Sequence, residues 1–487
     1  MLNHRGRRDH RDRDHHRPGG AQLTYRAGRF DRRAPWCAGW LTAAGWAAAF
    51  PLVSGLGPHR SWGAIAATGY LAAAVAVLVL PWRRARSWSV AVALLGALAL
   101  PLLRLVLTGQ GQSEVAVIER SAELLLRHGT PYLADPHTVS EYTPYLPGMA
   151  LFGLPRAVLG AQEWPARLLG DARLWCAAAF LGCLFAAGRR HRAGLAALTA
   201  SPLVALPLCV SGVDLPMTGL CCLALALAAR DRPGAAGLAL AAACALKWTA
   251  WPAVAVVAAL LAATAGRRAA LRATAVALAG TAVLVLPGAL RSPGPMFHQV
   301  FAFPTGRGPL PTPAGSPLPG RLLADLGPAG WYAAVTLLLL GGLAVATSLV
   351  LRPPRDAVGA ADRLALGLCV AFLLAPAGRF GYLALPLLLT LWARSQARPA
   401  PRTGALADPR TDPRTNPRTD PLTDPRTEVA PTPWPAHSSS PMTSRPGRAA
   451  SKPSSTPWPP VCPPTRSSSS PRTSPAPPRT TRPSPSR

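Results

Sequence analysis

Acidic side chains are few in the apolar part of this chain, and they are concentrated in one segment. The chain has 487 residues, yet only twelve aspartates and glutamates lie between residues 35 and 394. Residues 109–143 hold five of the twelve: Glu114, Glu119, Glu123, Asp135 and Glu141. Carboxylates can accept a proton from a hydroxyl group in general base catalysis. This segment is therefore the first place where the sequence predicts chemistry.

Residues 113–129 predict an amphipathic helix that lies on the outer surface of a membrane. Ser113 can cap the N-terminus of this helix, and Gly129 can end it. Glu114 lies in the first turn, at the boundary between water and lipid, and is a candidate for a catalytic base. Glu119, further along the same helix, is the alternative base. From spacing alone a structural role for Glu114 is the favoured interpretation, because an acid in the first turn stabilises a helix N-terminus.

Three further ionisable residues, Asp214, Lys247 and Arg379, lie within apolar surroundings. An ionisable group at membrane depth costs about 2.5–3.5 kcal/mol on insertion scales, so it usually has a partner or a function. Two interpretations follow. Either these residues bind a substrate, or Asp214 and Lys247 form a structural ion pair and Arg379 extends to the membrane interface.

A second long polar loop, residues 291–327, is rich in proline and glycine and contains His298. Loops of this length inside a compact domain usually have a function. His298 is therefore included among the candidate substrate-binding residues, with an ordinary loop histidine as the favoured alternative.

The elements that must position these residues are membrane helices. Apolar residues make up 49% of the chain and form runs of about 15 to 25 residues, the length that crosses a bilayer. Charged residues are 15% of the chain, against about 25% in soluble proteins, which excludes a soluble enzyme.

Residues 145–160 contain two prolines and are predicted not to cross the membrane fully. We predict an all-α polytopic membrane protein with about twelve transmembrane helices, at residues 36–56, 61–82, 88–107, 171–187, 193–211, 213–229, 234–247, 248–264, 269–290, 328–351, 361–375 and 378–394.

The formal net charge of +30 is distributed as the positive-inside rule expects. About half of it lies at the two ends of the chain, and most of the rest lies in short loops such as residues 83–86. This distribution places both termini in the cytoplasm and residues 109–143 outside a plasma membrane that the chain crosses several times. It also argues against a nucleic-acid partner.

The sequence divides into three regions. Residues 1–34 are a predicted disordered basic cytoplasmic tail, residues 35–394 a transmembrane domain, and residues 395–487 a disordered cytoplasmic tail rich in Pro, Ser, Thr and Arg. Residues 408–427 repeat a unit of the type DPRT, and a proline in every unit excludes a helix. The nine cysteines show no metal-binding spacing, so no metal site is predicted.

Short segments follow one another along the chain in an order that resembles a known family. They are AELLLRHGTPYL, EYTPYLPGMALFGLPRA, GDAR, SGVDLP, ALKWTAWP, PTGRGPLPTPAGSPLPG and RFGYLALPL. The set resembles actinobacterial membrane proteins grouped with glycosyltransferase family 87, which are polyprenol-phosphate-mannose-dependent mannosyltransferases and their relatives. The resemblance covers about residues 36–394.

The resemblance implies a GT-C-like bundle of transmembrane helices and a set of site residues. In that family an acid, most often aspartate, precedes the segment that ends here at Tyr132, and this acid acts as the base. Glu114 holds the position in this chain, with glutamate in place of the usual aspartate. The resemblance also implies that Asp214, Lys247 and Arg379 line the substrate cavity, and it adds Tyr132 to the substrate-binding candidates.

These observations together predict a membrane hexosyltransferase. It would transfer a hexose, with mannose as the first choice, from a polyprenyl-phosphate donor to an acceptor hydroxyl on the extracytoplasmic face. The lipid-linked donor is a co-substrate, so no cofactor is predicted, and the partners are membrane lipid and a glycan or glycolipid acceptor. The alternatives are a lipid or solute transporter or flippase, and a non-catalytic diverged relative. Many transporters are built from internal repeats, and the two halves of this sequence show none, which argues against transport.

The predicted topology can be tested with a membrane-impermeant thiol reagent applied to intact cells. A cysteine at Ser140 should be labelled from outside, and a cysteine at Ser444 should be labelled only after the membrane is opened. Each variant would be compared with the unmodified chain, whose own cysteines set the background. The opposite labelling pattern would contradict the topology and the placement of every candidate site residue.

Overall fold

A computed structural model describes residues 19–188 and 192–396, and the remaining parts of the two predicted tails lie outside this range. The described chain is helical and contains no strand. The α-helices are α1 (Gly19–Val53), α2 (Gly57–Val79), α3 (Trp82–Ala93), α4 (Leu100–Leu107), α5 (Ser113–His128), α6 (Leu154–Leu159), α7 (Trp164–Gly170), α8 (Ala172–Ala187), α9 (Arg192–Ala200), α10 (Pro202–Val210), α11 (Leu215–Ala228), α12 (Pro233–Leu246), α13 (Pro252–Thr264), α14 (Arg267–Arg291), α15 (Pro293–Met296), α16 (Pro319–Ala324), α17 (Pro328–Leu351), α18 (Ala357–Leu374) and α19 (Ala384–Gln396). Short 3-10 segments lie at Val139–Glu141, Pro147–Gly153, Trp248–Ala250, Phe303–Thr305 and Phe380–Leu383, and π-helical turns at Leu94–Ala99 and Phe297–Ala302.

The long apolar helices identify a membrane protein. Six segments are long and apolar enough to cross a bilayer, and the number rises to eight if two bent pairs each count as one span. The twelve predicted runs all fall in helices, but several of these helices are short. For example, α11 and α12 have 14 residues each and extend about 21 Å, against a hydrocarbon core of about 30 Å. The number of full-length spans is therefore smaller than predicted.

The first helix begins earlier than the sequence predicts. The predicted disordered tail ends at residue 34, whereas α1 begins at Gly19. The guanidinium of Arg33 donates hydrogen bonds to three carbonyl oxygens at the end of α2, those of Val77, Leu78 and Leu80. The last carbonyls of a helix have no partner inside it, so an arginine in this position stabilises both helices.

The helix α2 crosses the third membrane segment, α3 to α4, at two glycines. A Cβ atom on Gly69 would lie 2.7 Å from the Cα atom of Gly96, so only glycine fits at this crossing. Pro101 lacks the N–H that would pair with the carbonyl of Ala97. The indole of Trp62 donates to that carbonyl at 2.9 Å instead. This contact fixes the direction in which the third segment leads to α5.

The basic residues and the candidate site residues lie at opposite ends of the same helices. The helix α12 begins beside Arg232 and ends at Lys247, and α18 begins after Arg355 and leads to Arg379. In the same way, α3 begins among arginines and α4 leads to Glu114. The charged candidates are therefore gathered at one end of the bundle.

The predictions for the segments around α5 are largely confirmed. Gly129 ends α5 in the left-handed conformation, with φ of 70°. Gln112, and not Ser113, is the N-cap residue, because its N–H donates to the carbonyl of Val210 at 2.8 Å and holds it extended. Residues 145–160 form only the 3-10 segment and α6, which are too short to cross a membrane, as predicted.

A buried ion pair joins three segments at the site end of the bundle. Arg173 and Asp171 are in contact at 2.7 Å, and their side chains are 2% and 5% exposed. The guanidinium of Arg173 also donates to the carbonyls of Gln110 at 2.8 Å and Cys209 at 2.9 Å. Asp171 accepts from the N–H of Arg173 and so caps α8. One side chain thus holds the start of α8, the end of α10 and the chain that leads to Glu114.

The variant Arg173→Met leaves Asp171 buried without a cation. We expect the free energy of unfolding to fall by about 3–5 kcal/mol, the cost of breaking a buried ion pair. Thermal unfolding of the purified protein in detergent measures the change. The double variant Asp171→Asn/Arg173→Met keeps a capping oxygen and buries no charge, so it should be more stable than the single variant. Equal loss in both would show that the ion pair is not the cause.

Candidate functional site

Four of the predicted site residues line a single cavity. Its volume is about 520 Å³, and Glu114, Asp214, Lys247 and Arg379 all contribute to its wall. They come from four places: the first turn of α5, the start of α11, the end of α12 and the turn before α19. The structure therefore brings together residues up to 265 positions apart in the sequence.

Glu114 is paired with Arg379. A guanidinium nitrogen of Arg379 donates a hydrogen bond to Oε1 of Glu114, and the two groups form an ion pair. The side chain of Glu114 is 16% exposed and that of Arg379 is 32% exposed, so the pair faces the cavity without being open to bulk water. In this arrangement the candidate base and a candidate substrate-binding cation neutralise each other.

Asp214 and Lys247 form the second ion pair. Nζ of Lys247 lies 2.7 Å from Oδ1 of Asp214. Two aromatic rings flank the same ammonium group, with Nζ 5.5 Å from the ring centre of Tyr145 and 5.1 Å from that of Tyr382. Cation–π contacts of this kind add to the stability of a cation in a partly dry site. The ion pair that the sequence allowed for Asp214 and Lys247 is present, and it faces the cavity. Arg379, for which extension to the membrane interface was the alternative, is instead paired with Glu114.

The backbone around Arg379 is fixed to the loop that follows α15. The N–H of Gly378 donates to the carbonyl of Ala314 at 2.9 Å, and the N–H of Ser316 donates back to Gly378 at 3.0 Å. The N–H of Phe380 donates to the hydroxyl of Ser316 at 3.3 Å. These bonds hold Arg379 at the cavity from both sides.

The rest of the cavity is mainly apolar. The wall carries aromatic side chains, of which Tyr145 and Tyr382 flank Lys247: Tyr142, Tyr145, Trp248, Trp251, Phe303 and Tyr382. The helices α10, α11, α17, α18 and α19 add apolar side chains: Leu203, Pro207, Leu215, Met217, Leu338, Leu368, Phe372, Leu385 and Leu388. One cavity therefore offers both charged groups and a hydrocarbon-like surface.

Three predicted site residues do not line this cavity. Glu119 forms an ion pair with Arg156 at 3.3 Å and accepts a hydrogen bond from the N–H of Ala172. Burial raises the pKa of the Glu119 carboxyl, and both Arg156 and this N–H oppose the rise. Tyr132 is buried in a separate apolar cluster, and His298 is exposed on the π-helical turn. These three positions are structural or peripheral in the arrangement seen here.

Two aromatic residues of the site, Tyr145 and Tyr382, were not among the sequence candidates. The sequence carries a signal for both, since Tyr145 lies in EYTPYLPG and Tyr382 follows Arg379 closely. Uncharged aromatic residues near helix ends are common in membrane proteins as interfacial anchors, so their type alone does not identify a site.

Within the described residues, no three or more His, Cys, Asp or Glu side chains are grouped so that they could hold a metal ion. The chemistry available at the cavity is that of two carboxylates, one ammonium and one guanidinium. Carboxylates accept protons, and guanidinium and ammonium groups bind phosphate oxygens.

The variant Lys247→Met leaves Asp214 without its cation. We expect the free energy of unfolding to fall by about 1–3 kcal/mol, less than for a fully buried pair because Asp214 is one-third exposed. The double variant Asp214→Asn/Lys247→Met should recover most of this loss in thermal unfolding. Arg321→Met, which breaks the exposed Arg321–Asp325 pair, is the control and should change stability by less than about 1 kcal/mol. A loss that the double variant does not recover would contradict a stabilising pair.

No protein-family model matches this sequence. No curated protein and no solved structure is significantly similar to it either.

Proposed function

We propose that the protein is a membrane glycosyltransferase that moves a hexose, mannose being the first choice, from a polyprenyl-phosphate donor to a hydroxyl group of a glycan or glycolipid acceptor. The observation that carries the proposal is the single cavity in which Glu114 and two cations adjoin an apolar wall. The charged part suits a phosphate and a sugar, and the apolar part suits a polyprenyl chain.

The proposed reaction is a direct displacement at the anomeric carbon. The acceptor oxygen forms a bond to that carbon while the bond from the carbon to the phosphate oxygen breaks. The proton of the acceptor hydroxyl passes to the carboxylate of Glu114, and the electron pair of the broken bond leaves with the lipid phosphate. One carboxylate is enough, and the configuration at the anomeric carbon is inverted.

The charge that develops on the lipid phosphate needs a positive group nearby. Arg379 is the closer partner of Glu114 and is the proposed group that contacts the phosphate, because a guanidinium can donate two parallel hydrogen bonds to phosphate oxygens. Lys247, held by Asp214 and two tyrosine rings, is the second cation of the cavity wall.

The proposal includes the family and topology implied by the sequence resemblance. It assigns the chain to the glycosyltransferase family 87 type, with a GT-C fold of about twelve transmembrane helices, the shorter helices included. It places the protein in the plasma membrane with both termini in the cytoplasm and the cavity on the extracytoplasmic side. The basic residues at the opposite helix ends support this orientation.

A transporter or flippase is the second candidate, and one observation favours it. The helices α9 and α10 are bent by 60° at a short break, and α10 contributes Leu203 and Pro207 to the cavity wall. Broken helices beside a binding site are common in transporters. A transporter moves an intact lipid and forms no glycosidic bond, so product analysis separates the two candidates. A non-catalytic relative would bind without doing either.

The variant Glu114→Gln is expected to abolish sugar transfer while the protein stays folded in the membrane. Glutamine keeps the size and hydrogen-bonding capacity of the side chain but cannot accept the proton, and loss of a general base typically lowers the rate by about 10²–10⁴-fold. The measurement is transfer from labelled polyprenyl-phosphate mannose in membranes that contain the variant. Glu114→Asp should keep part of the activity.

Glu119→Gln is the matched control, because Glu119 lies on the same helix but faces Arg156. Its transfer rate should stay close to that of the unmodified protein. If Glu119→Gln abolished transfer and Glu114→Gln did not, the base would be misassigned. If neither variant changed the transfer rate, the transporter and the non-catalytic relative would be favoured.

A further inference from the structure

The two ion pairs of the cavity differ in how firmly they are held. Lys247 has Asp214 at 2.7 Å and an aromatic ring on each side, and its side chain is only 15% exposed. Arg379 has one acidic partner, Glu114, and its side chain is 32% exposed toward the cavity. A ligand that enters the cavity therefore meets one cation that is enclosed and one that is accessible.

The formal charges of the four groups also sum to zero. Two carboxylates and two cations neutralise one another, so the cavity carries no spare positive charge for an anionic ligand. A phosphate can gain a charge-assisted contact only if one of the cations changes its partner. The accessible guanidinium of Arg379 is the group that can do so with the smaller loss.

The backbone on both sides of the Glu114–Arg379 contact is held by hydrogen bonds. Gly378 is paired with Ala314 and Ser316, so the turn that carries Arg379 is fixed. Glu114 lies in the first turn of α5, and the N–H of Gln112 just before it donates to the carbonyl of Val210. Loss of the contact therefore requires a side-chain rotation and no movement of the helices.

We propose that Arg379 exchanges partners: an entering lipid phosphate takes the guanidinium from Glu114, and this exchange frees the carboxylate to act. In the empty cavity Arg379 occupies the carboxylate of Glu114. Once the phosphate is bound, Glu114 loses this partner and its carboxylate is free to contact an acceptor hydroxyl. The base is then available only when a donor is present. The inference rests on the proposed function only in taking a lipid phosphate as the ligand.

The test measures the chemical reactivity of Glu114 without any sugar transfer. An apolar carbodiimide modifies carboxyl groups that can take up a proton, and mass spectrometry locates the adduct. The full-length protein would be studied in bilayers of zwitterionic lipid with added long-chain polyprenyl phosphate. Glu119 is the internal reference, because it lies on the same tryptic peptide, between Arg104 and Arg120, and has Arg156 as its partner.

Polyprenyl phosphate should increase the rate of modification of Glu114 by about tenfold or more, because the carboxylate loses a charge-assisted hydrogen bond, and should leave Glu119 unchanged. The uncharged polyprenol and inorganic phosphate should each give no increase. In Arg379→Gln, Glu114 should react at the high rate without ligand, and polyprenyl phosphate should add nothing. Arg321→Gln, which removes an arginine that is paired with Asp325 and does not line the cavity, should behave like the unmodified protein.

Unchanged or slower modification of Glu114, in protein that has retained labelled polyprenyl phosphate, would overturn the partner exchange. A response to inorganic phosphate but not to the lipid would overturn the lipid as the ligand. The outcome is separate from that of the transfer assay. If Glu114 responds to polyprenyl phosphate but no sugar is transferred, the partner exchange stands and the proposed enzyme activity is wrong. If sugar is transferred but Glu114 does not respond, the enzyme activity stands and the partner exchange is wrong.

Discussion

The contact between Arg173 and Asp171 is the constraint on which the site depends. A charged pair that is almost fully buried is stable only when its remaining donors are satisfied, and Arg173 satisfies them with the carbonyls of Gln110 and Cys209. These carbonyls belong to the chain before α5 and to the end of α10. The position of Glu114, a few residues after Gln110, is therefore set by a side chain that does not touch the cavity.

The charged groups of the cavity are arranged in two ion pairs. Each ionisable group near the middle of a membrane protein needs a partner, and here each carboxylate has one cation. Pairing makes the site stable without a ligand, but it also lowers the attraction for an anion. A site of this kind distinguishes ligands by whether they can replace one partner, so the strength with which each pair is held becomes a functional property.

The sequence predicted much of this site, and the limits of the prediction have physical causes. Asp214, Lys247 and Arg379 were identified because charge is costly in apolar surroundings. Glu114 was identified from its place in the acid-rich segment and from the family resemblance. Which acid pairs with which base depends on helix packing, and spacing along the chain carries no information about it. Glu119 was retained as an alternative for the same reason, since its partner Arg156 lies on another segment. Tyr145 and Tyr382 were missed because an uncharged aromatic residue does not stand out in an apolar sequence as a charged residue does.

The charged residues of the cavity lie at the ends of helices that are shorter than a full membrane span. The helix α11 begins after Asp214, α12 ends before Lys247, and each has 14 residues, so each extends about 21 Å from the basic end of the bundle. A hydrocarbon core is about 30 Å thick. The Asp214–Lys247 pair therefore lies at helix ends that are roughly 10 Å short of a full span. Leu338 of the longer helix α17 lines the same cavity. Helices shorter than a full span thus end at the cavity, and their ends place both charged groups in its wall.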